Sequence, residues 1–199
     1  MSLFPRKSVN LKLPDSNIRY FPRFFTSEEA DYFLRRFMTG VLWQQDEIMV
    51  YGKVYPQPRL TALYSINERS YSYSNITMEP HPFTEELINI KQRINAVTQV
   101  DFTSCLLNLY RNGKDSNGWH ADDEKELGYN PVIASVTFGQ ERFFHLRHIS
   151  DKTLKHKLLL EHGSLLLMAG KTQHCWQHQI PKTTKPVGER INLTFRVIQ

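Results

Sequence analysis

The segment NGWHADDEKEL, from Asn117 to Leu127, sets one imidazole, His120, beside Asp122, Asp123 and Glu124. Carboxylates this close repel one another. The cluster is therefore either a solvated acidic loop or a site where a cation neutralises part of the charge. His120 and Asp122 stand two positions apart, just past the strand-like run LLNLY. In an extended chain residues i and i+2 point to the same side, so both side chains can reach one ion. An imidazole and a carboxylate need a third ligand to complete the facial triad, with open positions, that suits non-haem iron(II). Two histidines of KTQHCWQHQIPKT offer it, His174 and His178.

The stretch ERINLTFRVI follows, with Arg190, Asn192 and Arg196 at even spacing and hence on one face of a strand. Two guanidinium groups and an amide among apolar neighbours are costly to bury unless they bind an anion. A guanidinium matches a carboxylate with two parallel hydrogen bonds. Asn108 and Tyr110 in LLNLYRN again share one face. A dicarboxylate that also chelates iron would use all five residues, and 2-oxoglutarate fits that description.

These groups need a rigid frame. Thr26 to Met38 opens with T-S-E-E, a capping box, and then sets Ala30, Phe33, Leu34, Phe37 and Met38 on one helical face, with Gly40 as a stop. Thr84 to Val97 places Leu87, Ile90, Ile94 and Val97 similarly. After residue 100 the chain reads as short strands, TSCLLNLY, VIASVTFG, RFFHLRH, KLLLEHGSLLLMAG and INLTFRVI. Early helices and later strands predict a mainly β fold with flanking helices, in which two sheets form the core. Residues 41–80, with strand-like pieces and Pro/Tyr-rich connections, read as an insertion carrying function rather than core. The 199 residues are enough for one domain, 1–199, with a core that needs no disulfides. Cys105 and Cys175 are too few and too far apart for a thiolate metal site, and they read as reduced thiols of an intracellular protein. Neither a signal peptide nor a membrane span is expected. The net charge of +5 permits a polyanionic partner without requiring one.

Together, N-x-Y at 108–110, H-x-D-D-E at 120–124, IASVTFG at 133–139, His178 and R-x-N-x-x-x-R at 190–196 resemble the AlkB family of iron(II)/2-oxoglutarate dioxygenases. The resemblance runs from about residue 10 to the C-terminus and follows the subgroup that repairs alkylated nucleic acid in animals. It implies a double-stranded β-helix (jelly roll) core with an N-terminal extension, and 41–80 as a nucleic-acid recognition lid. The family places its distal histidine twelve residues before the first arginine, which selects His178 over His174 as third iron ligand with His120 and Asp122. By the same resemblance Arg190, Asn192 and Tyr110 take the side-chain carboxylate of 2-oxoglutarate, and Arg196 and Asn108 the carboxylate beside its keto group. Iron(II), 2-oxoglutarate and dioxygen are the implied cofactor and co-substrates. The implied reaction is oxidative demethylation of N-alkylated bases such as 1-methyladenine and 3-methylcytosine in DNA, with formaldehyde, succinate and CO2 as products.

The resemblance also distributes the substrate contacts. Asp123, with Glu124 close by, would face a flipped base that methylation has made cationic. Tyr73 forms a wall of that pocket, Tyr71 is its neighbour and Arg59 a lid residue. In VYGK, Tyr51 stands where a duplex-acting relative carries an aromatic wedge. Arg142, Arg147, Lys182 and Lys185 are candidate phosphate contacts, within or beside a basic stretch that also holds Lys155 and Lys157. The expected partner is alkylated DNA, double- or single-stranded, with RNA as the alternative, and the expected state is a monomer in a bacterial cytoplasm or a eukaryotic nucleus. A protein hydroxylase and a non-catalytic nucleic-acid-binding jelly roll are the competing readings.

Overall fold

A computed structural model describes residues 8–50, 52–67, 71–73 and 76–198. In chain order the strands are β1 (Val9–Asn10), β2 (Asn17–Phe21), β3 (Glu47–Val50), β4 (Lys53–Pro56), β5 (Leu60–Ser65), β6 (Tyr71–Tyr73), β7 (Ile76–Met78) and β8 (His81–Pro82). They continue with β9 (Ser104–Tyr110), β10 (Asn117–His120), β11 (Ile133–Gly139), β12 (Arg142–His148), β13 (Lys155–Leu160), β14 (Ser164–Ala169), β15 (Trp176–Ile180) and β16 (Arg190–Arg196). The helices are α1 (Ser27–Gly40), α2 (Glu85–Thr98) and the short α3 (Thr172–Cys175).

Eight strands form a major sheet in the order β1-β2-β14-β11-β16-β9-β5-β8, and four form a minor sheet in the order β10-β15-β12-β13. All pairings are antiparallel except β5 with β8. Period-two alternation sorts the side chains into two cores. On β16, Ile191, Leu193 and Phe195 face the helix side, where they pack with Phe33 and Phe37 of α1 and Leu87, Ile90 and Ile94 of α2. The opposite face of the major sheet meets the minor sheet through Leu106, Ile133, Leu166, Phe144, Leu146, Trp176 and Ile180. Burying such side chains contributes about 1.5–3 kcal/mol each. Arg190, Asn192 and Arg196 share this inter-sheet face, as do Asn108 and Tyr110 across the register of β9. A jelly-roll core thus carries its polar residues in its own interior.

Both predicted helices form at the expected places. Thr26 and Glu29 make the reciprocal capping box, the Thr26 Oγ1 accepting from the Glu29 N–H at 3.2 Å and Glu29 Oε2 accepting from the Thr26 N–H at 2.8 Å. The run KLLLEHGSLLLMAG divides into β13 and β14, which belong to different sheets. Gly163 makes the crossing, at φ +73 and with Phe25 O 3.1 Å from where a Cβ would sit. The stretch 41–80 is also corrected in part. Its β3–β4 hairpin projects from the core with Met49 and Val54 exposed, but β5 is a buried strand of the major sheet paired with β9. LTALYS is apolar enough to serve there, and its position early in the chain hid its non-local partner. Among the described residues no helix is long and apolar enough to cross a membrane.

Candidate metal centre and co-substrate cleft

His120 ends β10 and lies opposite His178 on β15, next to an irregularity in the register. The two rings meet edge to face, with centroids 4.2 Å apart. Asp122 follows two residues later and turns its carboxylate into the same space, its Oδ2 3.5 Å from His178 Nε2. One ligand atom from each of the three lies within 4.8 Å of the others. Two contacts fix Asp122. Its backbone N–H donates to Gln173 Oε1 at 2.9 Å, and its Oδ1 accepts from Arg196 Nη2. His174, the alternative third ligand, is exposed on α3 beside the Tyr129 ring and stands outside the cluster.

Protonation states suit a cation. His120 Nδ1 sits 2.7 Å from Gly118 O, so it carries the proton and leaves the Nε2 lone pair turned inward. Burial lowers the pKa of both imidazoles, and the neighbouring His120 adds to this at His178, whose pKa falls to about 3. Burial alone would raise Asp122, but the charge of Arg196, helped by both histidines, outweighs it and holds the carboxyl at about 2. At pH 7 the cluster is two neutral imidazoles and one carboxylate, a donor set for non-haem iron. Phe144 stacks on His178 at 5.0 Å and closes the apolar side.

Beyond this cluster lies a narrow cleft of about 40 Å³ lined by Arg59, Asn108, Tyr110, Arg190, Asn192 and Arg196 among others. Arg190 is fully buried. Its Nη2 donates to Thr137 Oγ1 and Asn192 Oδ1, each at 2.9 Å, while Nε and Nη1 are buried with no hydrogen-bond partner. Burial lowers the guanidinium to about 10, and the Tyr110 ring lies 5.1 Å from it. Asn192 accepts from Ser135 Oγ at 2.9 Å and donates to Thr194 Oγ1 at 2.7 Å. Donor nitrogens left without partners on a buried cation call for an anionic acceptor, so the residues present fit a carboxylate received at Nη1.

The remaining candidates divide. Arg59 lies inside this cleft, donating from Nε to Asn108 Oδ1 at 2.7 Å, closer to the co-substrate residues than to a substrate lid. Asp123 is exposed just outside the cleft, and Glu124 is half-buried at the start of a 3-10 turn, Lys125–Leu127. Tyr71 and Tyr73 lie on β6, but their side chains, like Tyr51 as a whole, fall outside the described residues. Arg142 is corrected as a phosphate contact. It points inward, buried, and donates to the backbone carbonyls of Asn112, Asp115 and Pro181, where no polyanion reaches it. Arg147 faces outward, and Lys182 and Lys185 are exposed after β15. Reading the sequence missed Gln173, Ser135, Thr137, Thr194 and Asn117. Polar alternation in IASVTFG could have pointed to Ser135 and Thr137, but no local pattern singles out Gln173.

Residues 17–196 match the 2OG-Fe(II) oxygenase superfamily. The chain is 43% identical over 192 residues to "Alpha-ketoglutarate-dependent dioxygenase alkB homolog 3" of Homo sapiens, an alignment covering 92% of this chain and 66% of that protein. It is 36% identical over 178 residues to "DNA oxidative demethylase ALKBH2" of Mus musculus, covering 86% and 71% respectively. The chain spans 64–66% of the length of the alkB homolog 3 proteins of rat, mouse and human. The solved structure of OsALKBH1 superimposes with a TM-score of 0.69 over 96% of this chain and 100% of that one, at 18% identity, a likeness of fold.

Proposed function

The chain belongs to the AlkB family within the 2OG-Fe(II) oxygenase superfamily, and on that premise we propose that it oxidatively demethylates N-alkylated bases, such as 1-methyladenine and 3-methylcytosine, in DNA. The observation that carries the reading is the pairing of a buried His120–Asp122–His178 cluster with a buried Arg190 that lacks partners for two of its donors. When bound, iron(II) with 2-oxoglutarate and dioxygen supplies hydroxylation of an N-methyl group, with succinate and CO2 formed and the hydroxymethyl group lost as formaldehyde.

The protein's own residues bind and orient. His120 and His178 present neutral imidazoles and Asp122 a carboxylate, the three ligands for the ion. Arg190 offers Nη1 to the side-chain carboxylate of 2-oxoglutarate, with Asn192 and Tyr110 beside it. Arg196 and Asn108 receive the carboxylate next to the keto group, and Arg59 steadies Asn108. Phe144 and the apolar residues between the sheets keep water from that end. At the mouth, Asp123 and Glu124 supply negative charge that attracts a base only when methylation has made its ring cationic. By the family resemblance Tyr73 would form a wall of that pocket with Tyr71 as its neighbour, and Tyr51 would fill the gap the base leaves in the stack.

The test is mass spectrometry of methylated oligonucleotides after incubation with iron(II), 2-oxoglutarate and ascorbate. Loss of one methyl group per lesion is expected from 1-methyladenine and 3-methylcytosine in DNA. No loss from any DNA substrate overturns the reading, and loss confined to RNA reassigns the polymer. Tyr51→Ala should slow reaction on duplexes more than on single strands, and an equal loss on both rules out the wedge.

A further inference from the structure

β10 carries a second polar side chain into the cleft, that of Asn117, which belongs neither to the metal cluster nor to the Arg190 carboxylate site. Asn117 pairs with Ile180 and His120 with His178, so three steps along β10 match two along β15. One residue is therefore extra, a β-bulge at Gly118 and Trp119. In a regular strand, residues three apart point to opposite faces. The bulge cancels that rule and turns Asn117 and His120 to the same side, where both line the cleft. Trp119 is left outside, under the Arg147 guanidinium.

The bulge also sets the chemistry of His120. Its Nδ1–H donates to Gly118 O at 2.7 Å, so Nε2 is an acceptor, and Asn117 Nδ2 donates to it at 3.2 Å. The Asn117 amide thus covers the lone pair that a metal ion takes. Among the described residues its side chain makes no other hydrogen bond. An ion on His120 therefore leaves a half-buried N–H in need of a new acceptor beside the ion.

We propose that Asn117 is a binding residue for 2-oxoglutarate that changes partner when the metal arrives. In the empty site its amide caps His120 Nε2. With the ion in place the amide donates to an oxygen at the keto end of 2-oxoglutarate, the end that chelates. A neutral amide suits this task, because it binds oxygen without altering the charge balance of two imidazoles and one carboxylate. The metal then strengthens co-substrate binding twice, by chelation and by freeing a donor. The inference rests on the co-substrate reading of the cleft and adds a residue at its metal end.

Manganese(II) replaces iron to prevent turnover. Calorimetry measures two affinities, that for manganese alone and that for 2-oxoglutarate in the manganese-loaded protein. A cooperative melt of each ligand-free variant certifies its fold. Asn117→Leu keeps the size and removes the donor. It should weaken 2-oxoglutarate binding about tenfold, the worth of one hydrogen bond to a charged acceptor, while manganese binds at least as tightly as in the wild type. Asn117→Asp keeps the shape and sets a carboxylate beside the ion. It should tighten manganese binding and weaken 2-oxoglutarate more than the leucine variant does. Equal 2-oxoglutarate affinity in the wild type and Asn117→Leu overturns the inference and leaves the co-substrate reading standing. A parallel loss of both affinities in Asn117→Leu does the same, since Asn117 would then only support His120. A wild-type chain that binds manganese but not 2-oxoglutarate overturns both.

Discussion

Replacing Arg190 by methionine should make the ligand-free protein more stable while abolishing its response to 2-oxoglutarate. Holding this guanidinium charged at a pKa of about 10, against an ordinary 12.5, costs the fold about 3 kcal/mol at 1.36 kcal/mol per pKa unit. Methionine removes that cost and forfeits the Nη2 hydrogen bonds to Thr137 and Asn192, worth about 1 kcal/mol each. The balance is a gain of about 1 kcal/mol, or roughly 2–4 °C in Tm for a chain of this size. The sign holds at neutral pH. Below pH 10 the group is charged in both the folded and the unfolded chain, so its cost is present in full and does not vary. It shrinks only as the pH rises through the folded value. With manganese(II) in place of iron to prevent turnover, 2-oxoglutarate at about a hundred times its Kd should raise the wild-type Tm by roughly 5–10 °C, from about 2.7 kcal/mol of linkage. The variant should shift by less than about 2 °C. Differential scanning fluorimetry at pH 7 measures both. A variant Tm below the wild type, or equal 2-oxoglutarate shifts in the two proteins, would refute the assignment of Arg190 as a cation awaiting its carboxylate.

Three further outcomes are expected. Gln173→Leu removes the acceptor that holds the Asp122 backbone, so manganese(II) affinity should fall about 10- to 100-fold by calorimetry, and an unchanged affinity would show that Asp122 needs no such support. Arg142→Ala strips three backbone carbonyls, that of Asp115 buried and those of Asn112 and Pro181 part-buried, of a charged donor and should lower stability by about 3 kcal/mol in urea, without altering the salt slope of oligonucleotide binding. Acid should loosen the metal-free fold before its carboxylates titrate. His178 stays neutral down to about pH 3 in the folded chain, while the unfolded chain gains that proton near 6.5, so stability is full above 6.5 and declines as the pH falls toward 3. By pH 5 this one histidine accounts for about 2 kcal/mol, and His178→Gln should flatten the urea-derived pH profile in that window.

The chain discloses its chemistry more readily than its architecture. His120 and Asp122 stand close in sequence, and Arg190, Asn192 and Arg196 lie on one strand, so local periodicity sufficed to group them. The helices were equally legible because a capping box and a spaced apolar face are both local signals. β15 was not, since WQHQI shows only glutamine to solvent and reads as a polar loop. β5 was misjudged because its partner β9 lies some forty residues away in the chain. Arg142 was misassigned for a related reason. A basic residue in a basic stretch looks exposed until strand parity is known, and parity turns Arg142 inward while Arg147 turns out.

The ion cluster is held by two walls of unequal firmness. Arg196 and Arg190 lie on β16, which has a full ladder on both sides, with β11 and β9. His120 lies at the end of β10, an edge strand with one partner and an irregular register, and Asp122 is on the loop beyond it. Opening the first wall requires unzipping the middle of the molecule, whereas opening the second breaks only a short seam. Amide protons of β16 should therefore exchange with deuterium only on global unfolding, and those of β10 through local fluctuations. Under the proposed function, the β16 wall is the fixed jaw of a vice and the His120–Asp122 segment its moving jaw, and metal exchange is expected at the β10 edge.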